Sequence, residues 1–356
     1  MTLTVDVAPT RPRNRVERAY RLTAVLVFVL LLVSFASLSV GATDTSLSGV
    51  LQGLWTGTPV SQVDQIVLLN IRLPRLVMGL LVGAALAVSG VLMQGLFRNP
   101  LADPGIVGVS SGAGLGAILA IVLGGFLPLA LQSLLGAWLV PVAAFLGAWG
   151  TTLLLYTVAT RRGQTSVATM LLAGIAIGAL GGALAGLMIY IADDAQLREL
   201  NFWGLGSLAG ATWAKLAAAA PVIVLGLVAT PYLARGLNAL SLGEAAATHM
   251  GVSVQRVKNG AILSVAAATG AAVAVSGGIG FIGIVVPHLL RLATGPDHRP
   301  LLPNATLLGA IVLIGADMIS RVIVAPSELP IGIITAVLGA PVFLYILLKS
   351  KRSMGL

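Results

Sequence analysis

Ten apolar runs, each long enough to cross a bilayer, follow one another with short connections between them: 22–40, 75–97, 106–124, 134–159, 166–191, 212–230, 256–276, 279–295, 305–324 and 330–348. A spanning helix needs roughly 20 such residues, with about 17 as a lower limit. The chain has 356 residues, of which 57% are hydrophobic and only 9% charged. A soluble domain carries about 25% charged residues, so a soluble enzyme, a nucleic-acid binder and a disordered chain are excluded. Outer-membrane barrels are excluded as well, because their strands are about 10 residues long and alternate in polarity. The expected fold is an all-α membrane protein of about ten transmembrane helices. Residues 1–21 form a basic N-terminus, 22–348 a single membrane domain and 349–356 a basic tail.

Charge placement orients this domain. Arg11, Arg13, Arg15, Arg18 and Arg21 precede the first run, which reads as an uncleaved helix with its N-terminus in the cytoplasm. With ten alternating spans, one side holds sixteen basic and five acidic residues, and the other holds five and seven. The sides carry +11 and −2, so the net +9 reflects the cytoplasmic excess of basic residues rather than nucleic-acid binding. Lys349, Lys351 and Arg352 place the C-terminus in the cytoplasm too. Five basic residues resist the trend: Arg72, Arg75, Arg198, Lys215 and Arg321. Lys215 beside Trp213 reads as an interfacial anchor.

A short internal echo links the halves. Gly83–Gly90 and Gly270–Gly277 agree at seven of eight positions. They lie in spans two and seven, so two five-helix halves would be inverted relative to each other, with a pathway at their junction.

Glycine is concentrated in stripes. Gly108, Gly112 and Gly116 recur every fourth residue in span three, and Gly174, Gly178, Gly182 and Gly186 do so in span five. Such stripes let helices approach closely in lipid. Alternatively, the span-five stripe lines a smooth path for a bulky solute, with Met170 and Met188 as soft apolar flanks. Asp317, near the outer end of span nine, is the main ionisable group within a span. An ion-coupled carrier would usually have more, central and paired, so Asp317 reads as a structural hydrogen-bonding partner and energy is expected from outside the chain.

No catalytic constellation is evident. There is no cysteine, His249, His288 and His298 are not spaced for a metal, and no Gly-Lys-Ser/Thr phosphate loop occurs. Between spans six and seven, Ser241 to Val252 reads as a short cytoplasmic helix, capped by Ser241, ended by Gly251 and suited to docking a partner.

Several motifs then occur together: Arg72-Leu73-Pro74-Arg75, Arg98-Asn99-Pro100-Leu101-Ala102-Asp103-Pro104-Gly105, Ser110-Ser111-Gly112, Leu205-Gly206-Ser207-Leu208, Gly243-Glu244-Ala245-Ala246, Val286-Pro287-His288 and Asp297-His298-Arg299. Leu301-Leu302-Pro303, Glu328-Leu329-Pro330-Ile331-Gly332 and Leu338-Gly339-Ala340-Pro341 complete the series. In this order the chain resembles the permease subunits of bacterial binding-protein-dependent importers for vitamin B12, haem and ferric siderophores. The resemblance implies a homodimer in the inner membrane with a central translocation path. It also implies two separate ATPase subunits that bind ATP and Mg at the cytoplasmic face, with no cofactor on this chain, and a periplasmic solute-binding protein outside.

Site roles follow from the same resemblance. Arg72, Arg75 and Arg321 would meet acidic residues of the binding protein. Gly243, Glu244, Ala245 and Gly251 would belong to the helix that couples to the ATPase. Arg161, Arg162, Gly163 and Gln164 would form the cytoplasmic gate. Met170, Gly174, Gly178, Gly182, Gly186 and Arg198 would line the path. Arg198, just before Phe202-Trp203, looks most like haem-importing members, since an arginine can attract propionates and the rings offer flat apolar surface. Ferric siderophore and cobalamin remain alternatives within the family, and a stand-alone ion-coupled carrier is the alternative outside it.

Overall fold

In a computed structural model, which describes residues 12–41, 49, 55–56, 61–162 and 164–353, every one of the ten apolar runs is helical. The helices are α1 Pro12–Ser39, α2 Gln62–Phe97, α3 Val109–Leu123, α4 Leu139–Ala159 and α5 Val167–Ile191, followed by α6 Trp213–Val228, α7 Val254–Ser276, α8 Ile282–Thr294, α9 His298–Val322 and α10 Ile331–Ser353. Among the described residues, seven helices are long and apolar enough to span a membrane. An eighth span arises if α6 is joined to the helix Thr230–Leu240, which continues it at a 42° bend. Pro231, in the first turn of that second piece, follows the break. The helices α8 and the apolar part of α10 are shorter. By length and composition, seven to eight spans are therefore secure where the sequence suggested ten.

Breaks occur where the local chemistry demands them. Arg98 adopts a left-handed conformation (φ 49°) that ends α2, and Asn99 Oδ1 accepts the Leu101 N–H at 2.9 Å. Asp103 then caps a 3₁₀ turn, Pro104–Val107, by accepting the Gly105 N–H at 2.8 Å. Burial pushes the Asp103 carboxyl above the usual carboxylate range, partly offset by that N–H. The Arg98–Gly105 motif is thus a compact helix–turn–helix connection.

Helix α2 is the axis of the bundle, with 83% of its most apolar stretch buried against 6% for the α4 and α5 spans. Small residues set its contacts. A Cβ on Gly83 would collide with the Gly309 carbonyl of α9, and one on Gly90 with the Gly283 carbonyl of α8. In lipid, where apolar burial does not favour association, such close backbone approach and the dispersion it gives hold helices together.

Several of the contacts also fall into the pairs that two equivalent halves require. Helix α2 packs on α9 and α7 on α4; α3 packs on α4 and α8 on α9; α3 packs on α5 and α8 on α10. Exchanging the first five helices for the last five converts each contact into its partner.

Candidate functional site

The N-terminal part of α2 and the C-terminal end of α9 bring together three of the five basic residues that defied the charge rule. Asp317, 1% exposed, receives the Arg75 Nε at 2.9 Å and is also bonded by Arg321, one turn further along α9. Arg75 Nη1 reaches Glu328 at 2.7 and 2.9 Å from its two oxygens. Arg321 donates to the Ser37 carbonyl at 3.1 Å and to Ser37 Oγ at 3.0 Å, while Arg72 donates to the carbonyls of Leu38 and Ser39 at 2.7 and 3.0 Å. These are last-turn carbonyls of α1, which lack helical partners and attract cations.

The three arginines predicted to point at a partner are therefore buried (Arg72 3%, Arg75 4%, Arg321 5% exposed) and bonded within the chain. The physical reason is that α1 and Asp317 supply acceptors for guanidiniums that are withdrawn from the surface. The exposed member of the cluster is Glu328, 38% accessible. Asp317 has the structural role that its isolation in sequence suggested.

At the other end of α2, beside Arg98, a helix spans Glu244–His249. Ser241 does not cap it. Its Oγ instead donates back to the Asn238 carbonyl at 2.6 Å, closing the preceding helix. Gly243, at φ 107°, makes the turn that starts Glu244–His249, and Gly251, at φ 78°, ends the segment with its N–H on the Thr248 carbonyl at 2.9 Å. Ala247 is buried, whereas Leu242 and Met250 are exposed, leaving apolar surface on the outer face. Glu244 and Ala245 are also exposed.

The predicted gate is a two-residue antiparallel ribbon, Thr160–Arg161 paired with Gln164–Thr165, an addition to the all-helical expectation. Arg162 holds the turn at φ 52°. Arg161, Arg162 and Gln164 are exposed, and Gly163 lies outside the described residues.

The two glycine stripes have opposite fates. In α3, a Cβ on Gly112 would strike the Gly147 carbonyl and one on Gly116 the Ala143 carbonyl, so that stripe is filled by α4. In α5, a Cβ on Gly178, Gly182 or Gly186 would meet nothing within 4 Å. Gly174 shares that face by its spacing and is half-buried. Met170, in contrast, is fully buried and is the only buried residue of α5. It packs in the core rather than lining an open face.

Beyond α5, the helix Asp194–Leu205 is started by a reciprocal cap between Asp193 and Gln196. Arg198 and Phe202, four residues apart, share one exposed face of it. Its end is fixed by backbone bonds: Ser207 N–H to the Ser276 carbonyl at 2.7 Å and Ile331 N–H to the Gly206 carbonyl at 3.0 Å. Only glycine fits there; a Cβ on Gly206, Gly277 or Gly332 would enter a neighbouring carbonyl. The Leu205–Leu208 motif is thus the junction of α7, α10 and this helix. A cavity of about 560 Å³ beside it is lined by Glu199, Phe202, Trp203, Ser207 and Lys215. Trp213 is anchored by its indole N–H on the Leu69 carbonyl at 2.9 Å.

Residues 29–349 match the FecCD transport family. The chain belongs to that family. It is 46% identical over 331 residues to the hemin transport system permease protein HmuU of Yersinia pestis, covering 92% of this chain and 95% of that protein. It is 42% identical over 324 residues to the vitamin B12 import system permease protein BtuC of Salmonella paratyphi A (90% and 95% covered). A cobalamin import system permease protein of Halobacterium salinarum is 43% identical over 288 residues (81% and 75% covered). A solved structure described as an inward-facing metal-chelate type ABC transporter superposes with a TM-score of 0.80 at 33% identity, covering 92% of this chain and 99% of that one.

Two charged residues of this FecCD family member have partners that the sequence did not reveal. Glu328 and Lys258 are isolated charges in sequence, and their partners, Arg75 and Glu244, are revealed only by folding. A buried lysine at the start of an apolar helix was the one available signal for Lys258.

Proposed function

We propose that this chain is the membrane subunit of an ATP-binding-cassette importer that passes haem from a periplasmic binding protein to the cytoplasm by alternating access. It would work in the bacterial inner membrane as a homodimer with both termini cytoplasmic. Two ATPase subunits would seat on Glu244–His249. The observation that carries this reading is the uncovered glycine face of α5, continued at its outer end by exposed Arg198 and Phe202. A second copy facing it would enclose a smooth path wide enough for a flat, bulky solute.

The charged groups support an external energy source. Asp317 is held by two guanidiniums, an arrangement suited to holding helices rather than cycling protons. The binding protein would dock over the outer cluster, where its carboxylates would compete with Glu328 for Arg75 among Arg72, Arg75 and Arg321. Haem is favoured over cobalamin by the Arg198–Phe202 pair, which matches a propionate beside a flat ring, and by the identity to the hemin permease.

Proteoliposomes containing the complete complex should accumulate haem in preference to cobalamin or a ferric siderophore. Arg198→Ala should lower haem uptake about tenfold, as expected for loss of one charge-assisted hydrogen bond. Normal haem uptake by that variant would remove the mouth contact, and preferential cobalamin uptake by the unaltered complex would overturn the substrate.

A further inference from the structure

Lys258 lies in the second turn of α7 and is 4% exposed. A cation near a helix N-terminus opposes the helix dipole, and a buried ammonium is stable only when paired and fully hydrogen-bonded. Its partners come from two separate segments. The Nζ is 2.8 Å from Glu244 Oε1, at the first residue of the cytoplasmic helix, and donates to the Thr165 carbonyl at 2.7 Å, at the last residue of the hairpin.

Thr165 is held on its other polar atoms as well. Its N–H donates to Gln255 Oε1 at 3.0 Å, and its Oγ1 accepts from Gln255 Nε2 at 2.6 Å. The start of α7 thus grips the hairpin strand one residue before Ser166, the cap of α5. Glu244 joins the same grip through the ammonium alone, and it is half exposed, at 48%. Displacement of Glu244–His249 by anything docking on it would therefore pull on, or release, the charge that fixes the hairpin.

We infer that Lys258 is a positioning residue that transmits movement of the Glu244–His249 helix to the Thr160–Thr165 hairpin, and so to the start of α5. This rests on the reading of those two segments as ATPase seat and gate. The link is electrostatic and short, so removing its charge should separate the two movements without touching either surface.

The chain has no cysteine, so Arg162→Cys introduces a single thiol on the exposed hairpin. In the complete complex in proteoliposomes, the rate of its modification by a membrane-impermeant maleimide should change on addition of ATP. Adding Lys258→Met should abolish that change and lower solute transported per ATP hydrolysed about tenfold, within the usual range of coupling energies, while the ATPase subunit remains bound and continues to hydrolyse. Lys258→Arg should restore both. If Lys258→Met fails to assemble, Lys258→Gln, which keeps a donor for the Thr165 carbonyl but removes the charge, should give the same loss. An ATP-dependent change and transport ratio that survive in the assembled variant overturn the relay. If the Arg162→Cys parent shows no ATP response, the gate reading falls, and the relay with it.

Discussion

Asp317→Ala is expected to destabilise the protein by about 3–5 kcal/mol, the cost of leaving buried charge uncompensated. Asp317 is the acid between two guanidiniums, and neither Arg75 nor Arg321 is more than 5% exposed. Glu328 can still hold Arg75, but Arg321 would retain only Ser37 and Val40 carbonyls and a hydroxyl. The loss should appear as a lower thermal midpoint and a poor yield of folded protein in detergent. Replacing all three charges, Arg75→Met with Asp317→Leu and Arg321→Met, should recover part of it, because the buried ions are gone and Glu328, left without Arg75, is 38% exposed to solvent. Unchanged stability in Asp317→Ala would contradict the clamp and return Asp317 to candidacy as an ion-pathway residue.

Two alanine substitutions of identical chemistry should have opposite effects. Gly90→Ala inserts a methyl into the Gly283 carbonyl, and the obstacle is backbone rather than a side chain that can turn away. Forcing α8 off α2 should cost roughly 1–3 kcal/mol or more, as overpacking does elsewhere. Gly182→Ala meets nothing within 4 Å and should leave the folded chain as stable or slightly more so, since alanine favours a helix by about 1 kcal/mol over glycine. Gly182→Leu should then leave folding intact and block uptake if the α5 face is the path. Thermal midpoints of the alanine pair and transport by Gly182→Leu decide this together. Equal destabilisation by both alanines would show that α5 is packed like α2, with no path along it.

The helices were legible because at 9% charge the few polar interruptions mark nearly every boundary. Shorter irregularities were not. The bend after Val228, the hairpin at 160–165 and the π-helical stretch Val67–Arg72 depend on neighbours rather than on local propensity. That Arg72, Arg75 and Arg321 share one end of the bundle could be read from the order of the spans, but not their partners. Arg75 and Asp317 are 242 residues apart in sequence, and their meeting is a consequence of α2 packing on α9. Ser241 shows a different limit. A serine ahead of an alanine-rich run is a good cap by type, yet here its hydroxyl bonds backwards and a left-handed glycine makes the turn. The glycine stripes are the sharpest case. Their spacing is the same in α3 and α5, and periodicity says only that a close approach is possible, not which helix makes it.

In the proposed division of labour, this chain supplies a path and docking surfaces while another subunit supplies the energy. That division is tested most directly by haem uptake into proteoliposomes prepared with and without the ATPase subunit, in the presence of the haem-loaded binding protein. Uptake should require the ATPase and internal exposure to ATP, and should not respond to a proton or sodium gradient. Gradient-driven uptake by this chain alone, with no ATPase present, would contradict the account.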